Sequence, residues 1–69
     1  MTRKRAEAIA EWLWKHNTAI YKEICDAWDM TLNQAYAVSY YSLHAFGVDG
    51  KGLEWFIKQL VKDKVFKEK

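Results

Sequence analysis

Apolar residues return along this chain at intervals of three and four, the period of helices that bury one face. Between Thr2 and His16, the residues Ala6, Ile9, Ala10, Leu13 and Trp14 keep that spacing. Thr2 is placed to cap the start, and Asn17-Thr18 ends the segment. A second stretch runs from about Ala19 to Trp28, with Ile20, Ile24, Ala27 and Trp28 on one face, and Asp29-Met30 breaks it. Thr31-Leu32-Asn33-Gln34 has the form of a capping box, a Thr followed three residues later by Gln, so a third helix starts there. Leu32, Ala35, Val38, Ser42, Leu43 and Phe46 continue its period, and Gly47 stands where a left-handed C-terminal residue belongs. Val48-Asp49-Gly50-Lys51-Gly52 reads as the one real loop. A fourth helix follows, with Leu53, Phe56, Ile57, Leu60, Val61 and Lys64 in phase, and Val65-Phe66 either extends it or leaves it as an extended tail. The expected fold class is all-α, a compact three- to four-helix bundle forming a single domain over residues 1–69. The helical phase assigns Ile24, Trp28, Ala35, Val38, Leu43, Phe56, Ile57 and Leu60 to its core.

Composition sharpens this picture. A chain of 69 residues holds one small core and no more. The single Cys25 excludes an intrachain disulfide, which suits a reducing, cytoplasmic setting. No Pro and only three Gly argue against disorder and against a turn-rich β fold. No apolar run approaches the ~18 residues of a membrane span, and Met1-Thr2-Arg3-Lys4-Arg5 lacks a secretory apolar stretch. Four Trp, four Tyr and three Phe exceed what so small a core absorbs. Trp12 and Trp14 stand about 200° apart on a helix, so at least one is exposed. Exposed Trp and Tyr mark interfaces, which points to a homodimer or a protein partner met through an aromatic surface.

Residues 21–40 fit a helix-turn-helix template. The template asks for an apolar residue early in the first helix and a small one where the helices cross. It then asks for apolar residues on either side of the turn and two more, three apart, in the second helix. Ile24, Cys25, Trp28, Met30, Ala35 and Val38 fill these positions in order. Asp29 replaces the Gly that usually makes the turn, and Asp tolerates a left-handed backbone better than most residues.

The stretches Ala8–Asn17, Glu23–Thr31 and Gln34–Tyr40 together resemble small bacterial helix-turn-helix regulators, the fimbrial phase-variation regulators of PapI type and the CaiF/GrlA-type activators. The resemblance covers roughly residues 8–43. It implies a DNA-binding transcriptional regulator whose second motif helix, Thr31–Phe46, enters the major groove. The chain departs from the families' pattern in one respect: that helix carries no Lys or Arg.

Charge decides where a polyanion would be held. Residues 1–16 carry +2, residues 17–50 carry −3 and residues 51–69 carry +3, with no Lys or Arg between Lys22 and Lys51. The expected duplex contacts are therefore split. Arg3, Lys4, Arg5, Lys51, Lys58 and Lys62 would meet phosphates, with Lys22 and the C-terminal lysines in reserve. Asn33, Gln34, Tyr36 and Tyr40 would face bases, with Asn33 and Gln34 suited to adenine. A second placement uses Phe46-Gly47-Val48 as the turn and the helix at Leu53 and Phe56 as the reader. Leu60–Phe66 then resembles a winged-helix recognition helix running into a strand. The competing function class is a protein-binding adaptor or inhibitor, of phage or plasmid type, that docks an aromatic face and binds no DNA. His16, His44 and Cys25 are isolated, and Asp26 with Asp29 has no cleft or nucleophile beside it, so neither a metal, a cofactor nor an enzyme is expected. The Gly47–Gly52 segment lacks the Lys-Ser/Thr ending of a phosphate loop.

Overall fold

The computed structural model describes residues 1–66. Four helices, α1 (Arg3–Lys15), α2 (Tyr21–Trp28), α3 (Leu32–Phe46) and α4 (Leu53–Lys62), are followed by a single 3₁₀ turn at Lys64–Phe66. The architecture is all-α. No helix among the described residues is long and apolar enough to cross a membrane. Val65-Phe66 neither extends α4 nor forms a strand: Asp63 ends the helix in extended backbone, and Phe66 turns back into the core.

Local chemistry sets the boundaries. The Thr2 hydroxyl accepts from the Arg5 amide and caps α1. The capping box at α3 is complete: Gln34 N donates to the Thr31 hydroxyl at 3.2 Å, and Thr31 N donates to Gln34 Oε1 at 3.0 Å. Asp29 ends α2 with φ 51 and ψ 51, the left-handed conformation, so only three residues separate α2 from α3.

Gly47 is not left-handed, contrary to the C-cap expected from its position. Its φ is −116 and its ψ −102, and a Cβ there would lie 2.7 Å from the Leu43 carbonyl oxygen. The amides of Gly47 and Val48 both donate to that oxygen. The loop then folds back on α3, with Lys51 N donating to His44 O and Gly52 N to Ala45 O. Gly52 enters α4 at φ 94, a backbone that favours glycine.

Ile9, Ile24, Val38, Phe56, Ile57 and Leu60 are the large side chains of the core, completed by Ala6, Ala10, Met30, Ala35, Ala45 and Phe66. The fourth helix is not set apart by its loop, because α4 packs on both α1 and α3 while α2 packs on α3. Of the expected core, Trp28 is only half-buried and Leu43 is 53% exposed. Leu43 is displaced by geometry: at about 100° per residue it lies 80° from Ala35 and 140° from Val38 around α3. The two Trp on α1 divide as their spacing requires. Trp14 is 79% exposed, and Trp12 stacks on His16 at 4.3 Å and meets Trp28 edge-on at 6.4 Å.

Candidate nucleic-acid interface

The residues assigned to DNA by charge and spacing separate into two groups. Arg3, Arg5 and Gln34 are engaged within the fold. The Arg3 guanidinium reaches Glu54 at 2.7 and 2.9 Å and Glu7 at 3.0 Å, joining α1 to α4. This contact raises the Arg3 pKa and holds the Glu54 carboxyl below its usual range, the hydrogen bond being the larger cause in each. Arg5 donates to the Trp28 carbonyl at 2.7 Å and so satisfies the end of α2. Gln34 closes the capping box with its oxygen and donates its amide to Val65 O at 3.0 Å. Lys4 and Asn33 are exposed, and neither makes a side-chain hydrogen bond among the described residues.

The second group comes together on one surface. Trp55, Lys58 and Lys62 follow each other at i, i+3 and i+7, one face of α4. The folded-back loop brings the Lys51 ammonium to 5.3 Å from the centre of the Trp55 ring, a cation–π contact. Trp55 meets Tyr41 edge-on at 5.9 Å, Tyr41 meets Tyr40 at 5.7 Å, and Tyr40 meets His44 at 4.5 Å. His44 Nδ1 in turn lies 2.7 Å from Asp49 Oδ2. A continuous row of rings thus runs from the outer face of α3 to Trp55 of α4 and the Lys51 ammonium over it. Tyr40 is 59% exposed at the α3 end of the row, on the same outward stripe as Asn33 and Tyr36. Tyr36 meets Tyr21 of α2 edge-on at 4.5 Å.

The row is anchored from beneath. The Tyr41 hydroxyl donates to Asp63 Oδ2 at 2.5 Å, while Asp63 Oδ1 accepts from Val65 N at 2.8 Å. That hydrogen bond, with burial and the carboxylate charge adding to it, pushes the Tyr41 pKa up to about 12. Sequence reasoning found Tyr40, Lys51, Lys58 and Lys62 but missed Trp55, Tyr41 and His44 as members of this surface. The four-residue step from Lys51 to Trp55 was the available signal. Lys67 and Lys69, two of the C-terminal lysines held in reserve for phosphates, lie outside the described residues.

Among the described residues no three His, Cys, Asp or Glu side chains gather at metal distance. Cys25 is a half-buried free thiol. The chain matches no family model, and comparison with curated proteins and with solved structures finds no match.

Proposed function

We propose that this protein is a small DNA-binding regulator whose α2–turn–α3 unit is a helix-turn-helix. In this reading α3 enters the major groove while Lys51 of the loop before α4 and Lys58 and Lys62 of α4 hold the flanking phosphates. The observation that carries the reading is the ring row, which ties Lys51 and the Trp55 face of α4 to the exposed stripe of α3. A recognition helix without cations needs its phosphate contacts from a neighbour; α4 supplies Lys58 and Lys62, and the loop before it supplies Lys51. Further support comes from the left-handed Asp29, which gives the short turn, and from burial of Ile24, Met30, Ala35 and Val38 at template positions. Asn33 on the outward stripe is the best placed base reader, for adenine. Arg3, Arg5 and Gln34 act in this reading as structural groups.

Duplex suits the surface better than single strands do. Base stacking needs open ring faces, whereas Tyr41 and Trp55 are packed on each other at 83° and Lys51 lies over Trp55. The test is fluorescence anisotropy on a mixed-sequence duplex across a salt series. Three to four phosphate contacts give a log–log salt slope of about −3 to −4. Replacing Lys51, Lys58 and Lys62 together by Ala flattens that slope, whereas Lys15→Ala on α1 leaves it in place. Absence of duplex retention at low salt refutes the reading.

A further inference from the structure

A second surface lies elsewhere on the molecule. Leu53 and Lys58 stand five residues apart on α4, about 140° around the helix, so the side that Leu53 faces is not the lysine side. Leu53 lines an open groove of about 710 Å³ whose walls are α1 and α3. Leu13 and Trp14 from α1 and Leu43 and Phe46 from α3 give it an apolar lining. Trp14, Leu43, Phe46 and Leu53 are all exposed, Trp14 most of all, which is unusual for large apolar side chains grouped on so small a protein. The charged residues along it are Glu7 and Glu11, one turn apart on α1, and no Lys or Arg of the described residues lines it. Each carboxylate has an exposed cation one turn away, Arg3 at 3.0 Å and Lys15 at 3.1 Å. Such solvated pairs are weak and leave both carboxylates open to an incoming cation.

We propose that this groove receives an amphipathic helix from another protein, in contact over about two turns, with an apolar stripe flanked by Lys or Arg. Length supports this choice: the α1 wall from Glu7 to Trp14 measures about 10 Å, two turns of helix, which is the span of anchors at i to i+7. The lining takes side chains at i, i+3, i+4 and i+7, the usual anchors of helix-in-groove recognition. Charge supports it too, because a carboxylate rim selects a basic flank. A second copy of this chain fits less well. Face to face, two copies would bring four carboxylates together with only their own one-turn partners, Arg3 and Lys15, to offset them. The exposed apolar lining falls far short of the roughly 800 Å² per partner of a standard stable interface.

The inference is tested by calorimetric titration with two designed helical peptides of about 16 residues. Both carry Leu at the four anchor positions, one with Lys on the flanks and the other with Glu. The protein's own net charge of +2 gives a cationic peptide no general attraction, so preference for it reports the groove. The expected result is binding of the Lys-flanked peptide at least ~10-fold tighter than the Glu-flanked one. Trp14→Ser and Leu43→Ser each weaken that binding by a similar factor, with thermal melts showing both variants folded. Equal affinity for the two peptides, binding of neither, or binding retained in both variants overturns the proposal. So does sedimentation that shows a wild-type dimer lost in Trp14→Ser, which would assign the groove to a second copy. The titration contains no nucleic acid, so its outcome is independent of the DNA-binding reading.

Discussion

Thr31 and Gln34 satisfy each other's backbone amides at the start of α3, and the Gln34 amide group reaches on to the Val65 carbonyl at 3.0 Å. The side chain therefore links the helix start to the turn that follows α4. Gln34→Ala removes two hydrogen bonds at about 1 kcal/mol each, less what solvent recovers at this exposed site. The expected cost is about 1 kcal/mol, a fall of roughly 4–8 °C in Tm for a domain of this size. Asn33→Ala, one residue away and exposed, changes stability by less than about 0.5 kcal/mol. A Gln34→Ala melt that overlays the wild type refutes the structural role and returns Gln34 to the candidate base readers.

Tyr41 makes alkaline stability depend on one hydroxyl. Its pKa is raised from its usual 10.0 to about 12 in the folded chain, so the folded state binds the phenolic proton more tightly than the unfolded state does. The resulting stabilisation is complete below pH 10 and is lost as pH rises from 10 towards 12. The ring is partly exposed, so solvent screening limits the effect to about 1 kcal/mol. Tyr41→Phe is then less stable than the wild type at neutral pH, and the gap narrows above pH 10 and closes towards pH 12. Parallel urea titrations of the two proteins at pH 7, 10 and 11 check this. A gap that stays constant with pH disproves the assignment.

Gly47 is held by its neighbour's backbone. A methyl group there would stand 2.7 Å from the Leu43 carbonyl oxygen, an atom that cannot swing away because Gly47 N and Val48 N both donate to it. Gly47→Ala is expected to cost about 1–3 kcal/mol through backbone strain. Gly50 has open space around it but a φ of 59, so Gly50→Asn, which tolerates the left-handed region, costs less than Gly50→Val. Thermal melts rank these variants. Gly47→Ala as stable as the wild type refutes the clash.

What the sequence disclosed and what it hid divide along contact distance. The caps at Thr2 and Thr31, the left-handed Asp29 and the opposed directions of Trp12 and Trp14 depend on residues within four positions of each other. All are legible from spacing. The lysine face of α4 is legible for the same reason. The Arg3–Glu54 pair joins residues 51 positions apart, and nothing local marks Arg3 as engaged. Gly47 departs from the expected left-handed cap because the loop returns to pair with His44 and Ala45, which only the packed structure reveals. The groove was hidden likewise: Leu43 keeps a helical period, but whether that side of α3 is covered depends on where α1 lies.

Leu43 and Ile24 accordingly form a test of the core against the groove. Ile24 is 2% exposed and Phe56 is fully buried, so truncation of either leaves a cavity among Ile9, Val38 and Leu60 that their neighbours cannot fill. Ile24→Ala or Phe56→Ala is expected to cost about 2–5 kcal/mol. A single small domain has a total stability of roughly 5–15 kcal/mol, and one of this size lies at or below the low end. Either variant should therefore be largely unfolded at 37 °C. Leu43→Ala removes a side chain already half in water and leaves no enclosed cavity, so its cost stays under about 1 kcal/mol. Circular dichroism melts of the three variants decide the matter. A Leu43→Ala loss as large as that of Ile24→Ala would show that Leu43 belongs to the core and that α1 and α3 close over it in solution.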